Sequence, residues 1–124
     1  MPRDPDFVAI CNMAKQSVQE VEWSDYRKQV DADSDVLLID VREDNEYQRG
    51  SIPGAIHIGK GVIERDIATF VDNKSKPLVL YCGGGSRSAL AALNLKTMGY
   101  TQVMSLIGGY RGWHSTQKNK SENG

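Results

Sequence analysis

Two short runs of consecutive apolar residues interrupt an otherwise mixed sequence, and they predict the centre of the fold. The runs cover positions 36–39 and 78–81 and are rich in Leu, Val and Ile. Runs of this length without polar alternation are typical of strands that are covered on both faces. Shorter extended stretches are predicted at 21–23 and 55–58, and a further strand lies within TQVMSLIGG, residues 101–109. The pattern therefore predicts five strands.

Apolar residues at helical spacing fill the segments between these strands. Asp4 and Pro5 are suited to the start of a first helix that continues to about residue 18, and Ser24 is suited to cap a second. The other predicted helices cover residues 62–71, 86–98 and 110–117. Because strands alternate with helices, we expect an α/β domain whose central, mainly parallel five-stranded sheet is flanked by helices.

The composition narrows the function classes without naming one. The chain has 124 residues, enough for one hydrophobic core, and its net charge of -1 gives no reason to expect nucleic acid or an anionic membrane as a partner. No apolar run approaches the roughly 20 residues that span a bilayer. Acidic residues near the N-terminus argue against an export signal, and two cysteines are too few for a disulfide scaffold. A cytoplasmic protein with free thiols is therefore expected.

One cysteine stands where chemistry is expected in a parallel sheet. Cys82 directly follows the run 78–81, and the carboxyl ends of such strands are where sites form. The glycines 83–85 can direct their backbone N–H groups inward, and the following helix presents the positive end of its dipole. Ser86 and Ser88 can cap the helix or donate hydroxyl hydrogen bonds, and Arg87 adds a positive charge. This combination predicts a thiolate with a lowered pKa inside an anion-binding loop.

A plainer interpretation competes with this one. A cysteine is commonly a small buried apolar residue, and a glycine run is commonly a turn. The cysteine, the glycine run, the arginine and the helix start occur together here, which favours an anion site. The spacing leaves open which anion is bound.

Three segments of the chain together resemble the rhodanese-like domain, of the single-domain sulfurtransferase kind. They are LLIDVREDNEYQRGSIPGAIHI at 37–58, VLYCGGGSRSALAALNLKTMGY at 79–100 and VMSLIGGYRGW at 103–113. The resemblance covers about Val21 to Trp113. It divides the chain into an N-terminal helical extension (1–20), a rhodanese-like three-layer domain (21–114) and a flexible C-terminal tail (115–124).

The resemblance implies a mechanism and a set of residue roles. Cys82 would accept sulfur from a donor such as thiosulfate or a persulfide, and pass it as a persulfide to a thiol or cyanide, in two displacement steps. The loop 83–88 would hold the anionic sulfur. Asp40 would help to hold that loop, and Arg42 would tie the first signature together through buried hydrogen bonds. The family reaction needs no metal and no organic cofactor.

Other functions stay open beside the sulfurtransferase. Cys82 could act as a persulfide carrier that receives sulfur from a cysteine desulfurase and delivers it to a partner protein. A non-catalytic interaction module is a third interpretation, although the presence of Cys82 argues against it. A phosphatase is disfavoured because Cys82 and Arg87 are spaced C-x4-R, whereas related phosphatases use C-x5-R. The glycine loop also lacks the basic side chains of thiosulfate-preferring members, so thiosulfate is expected to be a poor donor.

The remaining candidate residues are expected to have structural roles or to lie on the surface. Glu46 is expected to pair locally or to cap, and Cys11 to pack in the apolar stripe of the first helix. Lys60 and Arg65 are expected on a solvated face. His57 is expected at a strand end and His114 on the surface. Tyr110 or Trp113 is expected to shape the pocket rim.

Overall fold

The computed structural model describes residues 4–32 and 35–123, with side chains described as far as residue 117. Helices and strands alternate along most of this length, as the sequence pattern predicts. The elements are α1 (Pro5–Ser17), β1 (Gln19–Val21), α2 (Trp23–Ala32), β2 (Leu37–Asp40), α3 (Asp44–Gln48), β3 (Ile56–His57), α4 (Ile63–Phe70), β4 (Leu78–Tyr81), α5 (Ser86–Thr97), β5 (Val103–Leu106) and α6 (Gly109–Asn123).

The five strands form one sheet in the order β1-β5-β4-β2-β3. Every neighbouring pair is parallel, which confirms the predicted five-stranded parallel sheet. The two central strands β2 and β4 are aligned so that Asp40 lies opposite Tyr81. Their carboxyl ends therefore stand side by side, and the residues that follow them share one edge of the sheet.

Hydrophobic residues cover the sheet on both faces, which explains the continuous apolar runs. Along β4, Leu78 and Leu80 belong to one core cluster, and Val79 and Tyr81 belong to the cluster on the other face. All four are fully buried. A strand buried on both sides has no polar face to show, so its sequence carries no alternation.

The first helix is anchored to the domain rather than separate from it. The Asp4 carboxylate accepts a hydrogen bond from the backbone N–H of Phe7 at 3.0 Å, which confirms the predicted cap. Cys11 and Ala14 are buried, and α1 packs along α5. The expected packing role of Cys11 is thereby confirmed. Because of this packing, the start of α1 lies near the loop that follows β4.

Some elements differ from those that the sequence predicts. The short helix α3 was not predicted, because five residues are too few to show a helical period. The backbone of α6 runs through 109–123 and so includes most of the segment assigned to a tail. Residues 1–3 of the assigned N-terminal extension, and residue 124 of the tail, lie outside the described residues. Within the described part of the chain, no helix is long and apolar enough to cross a membrane.

Candidate active site

Backbone amides of the loop after β4 surround the sulfur of Cys82. The N–H of Gly85 donates a hydrogen bond to Cys82 Sγ at 3.1 Å. Gly85 is the residue that precedes α5, and its φ of 106° lies in the left-handed region, which glycine adopts without strain. Gly85 of the glycine run therefore directs its N–H to the sulfur.

A buried hydroxyl completes the environment of the sulfur. Ser88 Oγ lies 3.5 Å from Cys82 Sγ and 2.8 Å from Ser105 Oγ. Burial by itself raises the pKa of the Cys82 thiol. Hydrogen bonds from the Ser88 hydroxyl and from the amides of Ser88, Gly85 and Gly84 outweigh that effect, so the pKa of Cys82 lies below its ordinary value. The arrangement favours a thiolate.

The loop is closed from the other side by the start of α6. The N–H groups of Tyr110 and Arg111 donate to the carbonyls of Cys82 (2.8 Å) and Gly83 (3.1 Å). Gly109 has a φ of 53°, and a Cβ there would overlap the Cys82 carbonyl. The glycine pair 108–109 therefore permits a close backbone approach that fixes the cysteine loop.

Arg87 lies at the site, but its charge is matched by a partner that the sequence does not reveal. Its guanidinium donates to both carboxylate oxygens of Glu46, at 2.7 and 3.0 Å. This pairing lowers the pKa of Glu46 to about 2. Glu46 also caps α3 together with Glu43, as expected for a local role. The expectation for Glu46 was thus incomplete, because its second partner is 41 residues away in sequence.

Asp40 and Arg42 form a buried network beside the loop. Arg42 donates to both oxygens of Asp40 and, at 2.6 Å, to the carbonyl of Gly50. The Tyr81 hydroxyl donates to Asp40 at 2.7 Å and accepts from the N–H of Ile52 at 3.0 Å. The network therefore joins the end of β2 to the turn before β3 and to the residue that precedes Cys82. These side chains fix the segments next to the loop, and they do not line the pocket at Cys82.

A pocket of about 410 Å³ opens above the sulfur. The Cys82 side chain is only 1% exposed and lies at the base of this pocket. From the predicted loop the pocket is lined by Cys82, Gly84, Ser86 and Arg87, and it is also lined by Asp4, Phe7 and Arg111. The last three were not among the predicted site residues.

The sequence carries only a weak signal for these three residues. Asp4 and Phe7 belong to the helix assigned to an extension, and only the packing of α1 on α5 brings them to the pocket. Arg111 is the second residue after the Gly108–Gly109 pair and lies between Tyr110 and Trp113. Those two aromatic residues, expected at the rim, instead pack against the core face that contains Tyr81. That expectation was wrong, and the residue between them lines the pocket.

The remaining candidates take structural positions. Arg65 pairs with its neighbour Asp66 on the surface. His57 donates a ring N–H to the carbonyl of Arg42 at 2.8 Å and stacks on Tyr47. Within the described ranges, no three His, Cys, Asp or Glu side chains are grouped as metal ligands.

Comparison with known proteins agrees with the sequence resemblance. Residues 22–116 match the family described as the rhodanese-like domain. A Bacillus subtilis protein provisionally named as the sulfurtransferase YtwF is 34% identical over 104 residues, which cover 84% of this chain and 98% of that protein. A second B. subtilis relative, provisionally named as the sulfur carrier protein YrkF, is 32% identical over 97 residues, or 78% of this chain. The chain spans about half of that relative, 51% of its length.

A solved structure from Rhodopseudomonas palustris shares the fold over nearly the whole chain. It is described as a protein of unknown function and a possible tyrosine phosphatase. The two structures agree with a TM-score of 0.77 at 29% identity, covering 94% of this chain and 96% of the other. Since the family match and the relatives span most of the sequence, the chain belongs to the rhodanese-like domain family.

Proposed function

We propose that this protein is a sulfurtransferase that works through a persulfide on Cys82. The observation that carries the proposal is the sulfur of Cys82, which receives hydrogen bonds from the loop at the base of an open pocket. Such a site stabilises an anionic sulfur next to a pocket that can take a sulfur donor. The relative named as a sulfurtransferase supports the same chemistry.

The reaction proceeds by two displacements at sulfur. The Cys82 thiolate attacks the sulfane sulfur of the donor, and the donor's S–S bond breaks with its electron pair leaving on sulfite or a thiolate. The new S–S bond makes Cys82 a persulfide whose outer sulfur is anionic. A thiol or cyanide then takes that outer sulfur, and Cys82 leaves as the thiolate. The loop amides and Ser88 stabilise Cys82 as a nucleophile first and as a leaving group second.

The proposed reaction needs Cys82 to be reduced. Both cysteines are free thiols in the structure. We place the protein in a reducing compartment such as the cytoplasm, where thiols persist and low-molecular-weight acceptors are available.

Intact mass tests the proposal directly. The protein is incubated with thiosulfate, with a neutral organic trisulfide and with a low-molecular-weight persulfide, and the acceptor is withheld. Wild type is expected to gain one sulfur atom from at least one donor, and Cys82→Ser none. Cys11→Ser is the matched control, because Cys11 is buried in the α1 packing, and it should label as wild type does. Labelling that follows Cys11 instead of Cys82, or no labelling from any donor, would contradict the proposal.

A sulfur-carrier role is the second candidate, and the relative named as a sulfur carrier favours it. In that case Cys82 accepts sulfur from a cysteine desulfurase far faster than from thiosulfate. The same mass measurement separates the two when a desulfurase and cysteine replace the small donor. A non-catalytic module would show no labelling from either source.

A phosphatase activity is suggested only by the description of the R. palustris structure. The loop here places four residues between Cys82 and Arg87, and Glu46 already binds both arms of that guanidinium. We therefore expect no hydrolysis of an aryl phosphate. Hydrolysis that is lost in Cys82→Ser would favour the phosphatase instead.

A further inference from the structure

The guanidinium of Arg111 lies over the glycine loop. Its Nη1 is 2.9 Å from the position that a Cβ on Gly83 would occupy, and its Cζ is 3.3 Å from that position on Gly84. Alanine at either site would push the guanidinium away. The absence of side chains from the loop therefore has a second consequence, because it makes room for a cation that arrives from α6.

The backbone of Arg111 is fixed to the same loop. Its N–H donates to the carbonyl of Gly83 at 3.1 Å, next to the bond from Tyr110 to Cys82. The base of the side chain is thus held in register with the cysteine, while the guanidinium reaches back across the loop to line the pocket.

Arg111 is also the cation of the pocket that has no acidic partner among the described residues. Arg87 gives both arms of its guanidinium to Glu46. Asp4, the acidic residue of the pocket, directs a carboxylate oxygen to the N–H of Phe7. Among the described residues, Arg111 forms no side-chain hydrogen bond and no ion pair, so its N–H groups face the pocket without a protein acceptor.

We propose that Arg111 binds the anionic group of the sulfur donor, a sulfonate or a carboxylate on the part that leaves when Cys82 takes the sulfur. The inference rests on the sulfurtransferase function proposed above. A planar guanidinium can hold such a group through two parallel hydrogen bonds. Phe7 lies on the wall of the same pocket and offers an apolar surface to a donor with a carbon skeleton.

Arg111 changes the donor preference that the glycine loop alone predicts. A loop of glycines predicts weak binding of thiosulfate, because it contributes no basic side chain. Arg111 supplies that charge from outside the loop, so anionic donors, thiosulfate included, are expected to bind better than neutral ones.

Two alkylating reagents that differ in charge test the local role of Arg111 without a sulfur donor. Iodoacetate and iodoacetamide both alkylate the Cys82 thiolate, but only iodoacetate carries a carboxylate. Arg111→Gln should lower the ratio of the iodoacetate rate to the iodoacetamide rate by about tenfold, as expected for loss of one charge-assisted hydrogen-bonded contact. Arg111→Lys should retain most of the ratio. The matched control is Arg65→Gln, which removes a surface charge away from this pocket and should leave the ratio unchanged.

Steady-state kinetics then separate this proposal from the proposed function. Arg111→Gln should raise KM for thiosulfate about tenfold and leave the rate with a neutral trisulfide as in wild type. An unchanged alkylation ratio together with an unchanged KM would overturn the role of Arg111 while sulfur transfer through Cys82 stands. If no donor labels Cys82, the sulfurtransferase fails, and the alkylation ratio still decides whether Arg111 binds anions at this site.

Discussion

The carboxyl ends of β2 and β4 lie side by side, yet a negative charge is stabilised at each of them by different groups. At the end of β2, the carboxylate of Asp40 is fully buried and is bound by Arg42 and Tyr81. After β4, the sulfur of Cys82 is met by a backbone amide and a neutral hydroxyl at the base of a pocket. A side-chain counterion neutralises a charge and fills the space around it. Fixed dipoles stabilise the charge and leave one side of it open to react.

Removing the counterion should give the largest loss of stability. Arg42→Met leaves the Asp40 carboxylate buried beside Tyr81 without its cation, which is expected to lower the free energy of unfolding by about 3–5 kcal/mol. Urea unfolding measures this. Arg27→Met is the control, since Arg27 pairs with Asp31 on the surface and should cost about 1 kcal/mol or less. Equal losses in the two variants would show that the Asp40–Arg42 pair stabilises the fold no more than a surface pair does.

Displacing the cysteine loop should be the next largest effect. Gly109→Ala puts a Cβ against the Cys82 carbonyl and forces alanine into a φ of 53°. We expect a loss of about 1–3 kcal/mol in the free energy of unfolding, with slower alkylation of Cys82 at neutral pH because the amides no longer align with the sulfur. Gly61→Ala is the matched control, because nothing lies within 4 Å of its added Cβ. If Gly109→Ala alkylates as wild type does, the close approach does not position the loop.

Much of this comparison could be predicted from the sequence. The apolar runs identified β2 and β4, and the residues at the carboxyl ends of these strands located both the Asp40–Arg42 pair and the Cys82 loop. These features are local, because each depends on residues within a few positions of a strand end. The pairing of Arg87 with Glu46 depends on how distant elements pack, and so does the presence of Phe7 and Arg111 in the pocket. No local sequence pattern indicates such contacts.

Removing the Ser88 hydroxyl should change the pKa of Cys82 without displacing the loop. Ser88→Ala removes a hydrogen bond to the thiolate, so the pKa of Cys82 should rise and its alkylation at neutral pH should slow. The expected stability change is about 1 kcal/mol. Ser105→Ala removes only the partner of Ser88 and should raise the pKa less. A larger rise in Ser105→Ala than in Ser88→Ala would contradict this order.

The Glu46–Arg87 pair should contribute least, and its contribution should depend on pH. The pKa of Glu46 is lowered from 4.5 to about 2, so its stabilising effect is present above pH 4.5 and is lost as pH falls toward 2. Both side chains are about one third exposed, at 30% and 32%, so solvent screening reduces the effect to about 1 kcal/mol.

Urea unfolding of wild type and Glu46→Gln across this pH range measures the contribution. The difference in unfolding free energy between the two proteins should shrink as the pH falls. A difference that stays constant from pH 5 to about 2 would show that the carboxylate does not titrate with a lowered pKa.

The most direct test of the central claim is the ionisation of Cys82 itself. The ultraviolet absorbance of the thiolate is followed with pH in wild type and in Cys82→Ser, and the difference belongs to Cys82 alone. The loop amides and Ser88 predict a midpoint below the value of about 8.5 that an unperturbed cysteine shows. A midpoint at or above that value would mean that burial outweighs those hydrogen bonds, and the site would not favour the anion on which sulfur transfer depends.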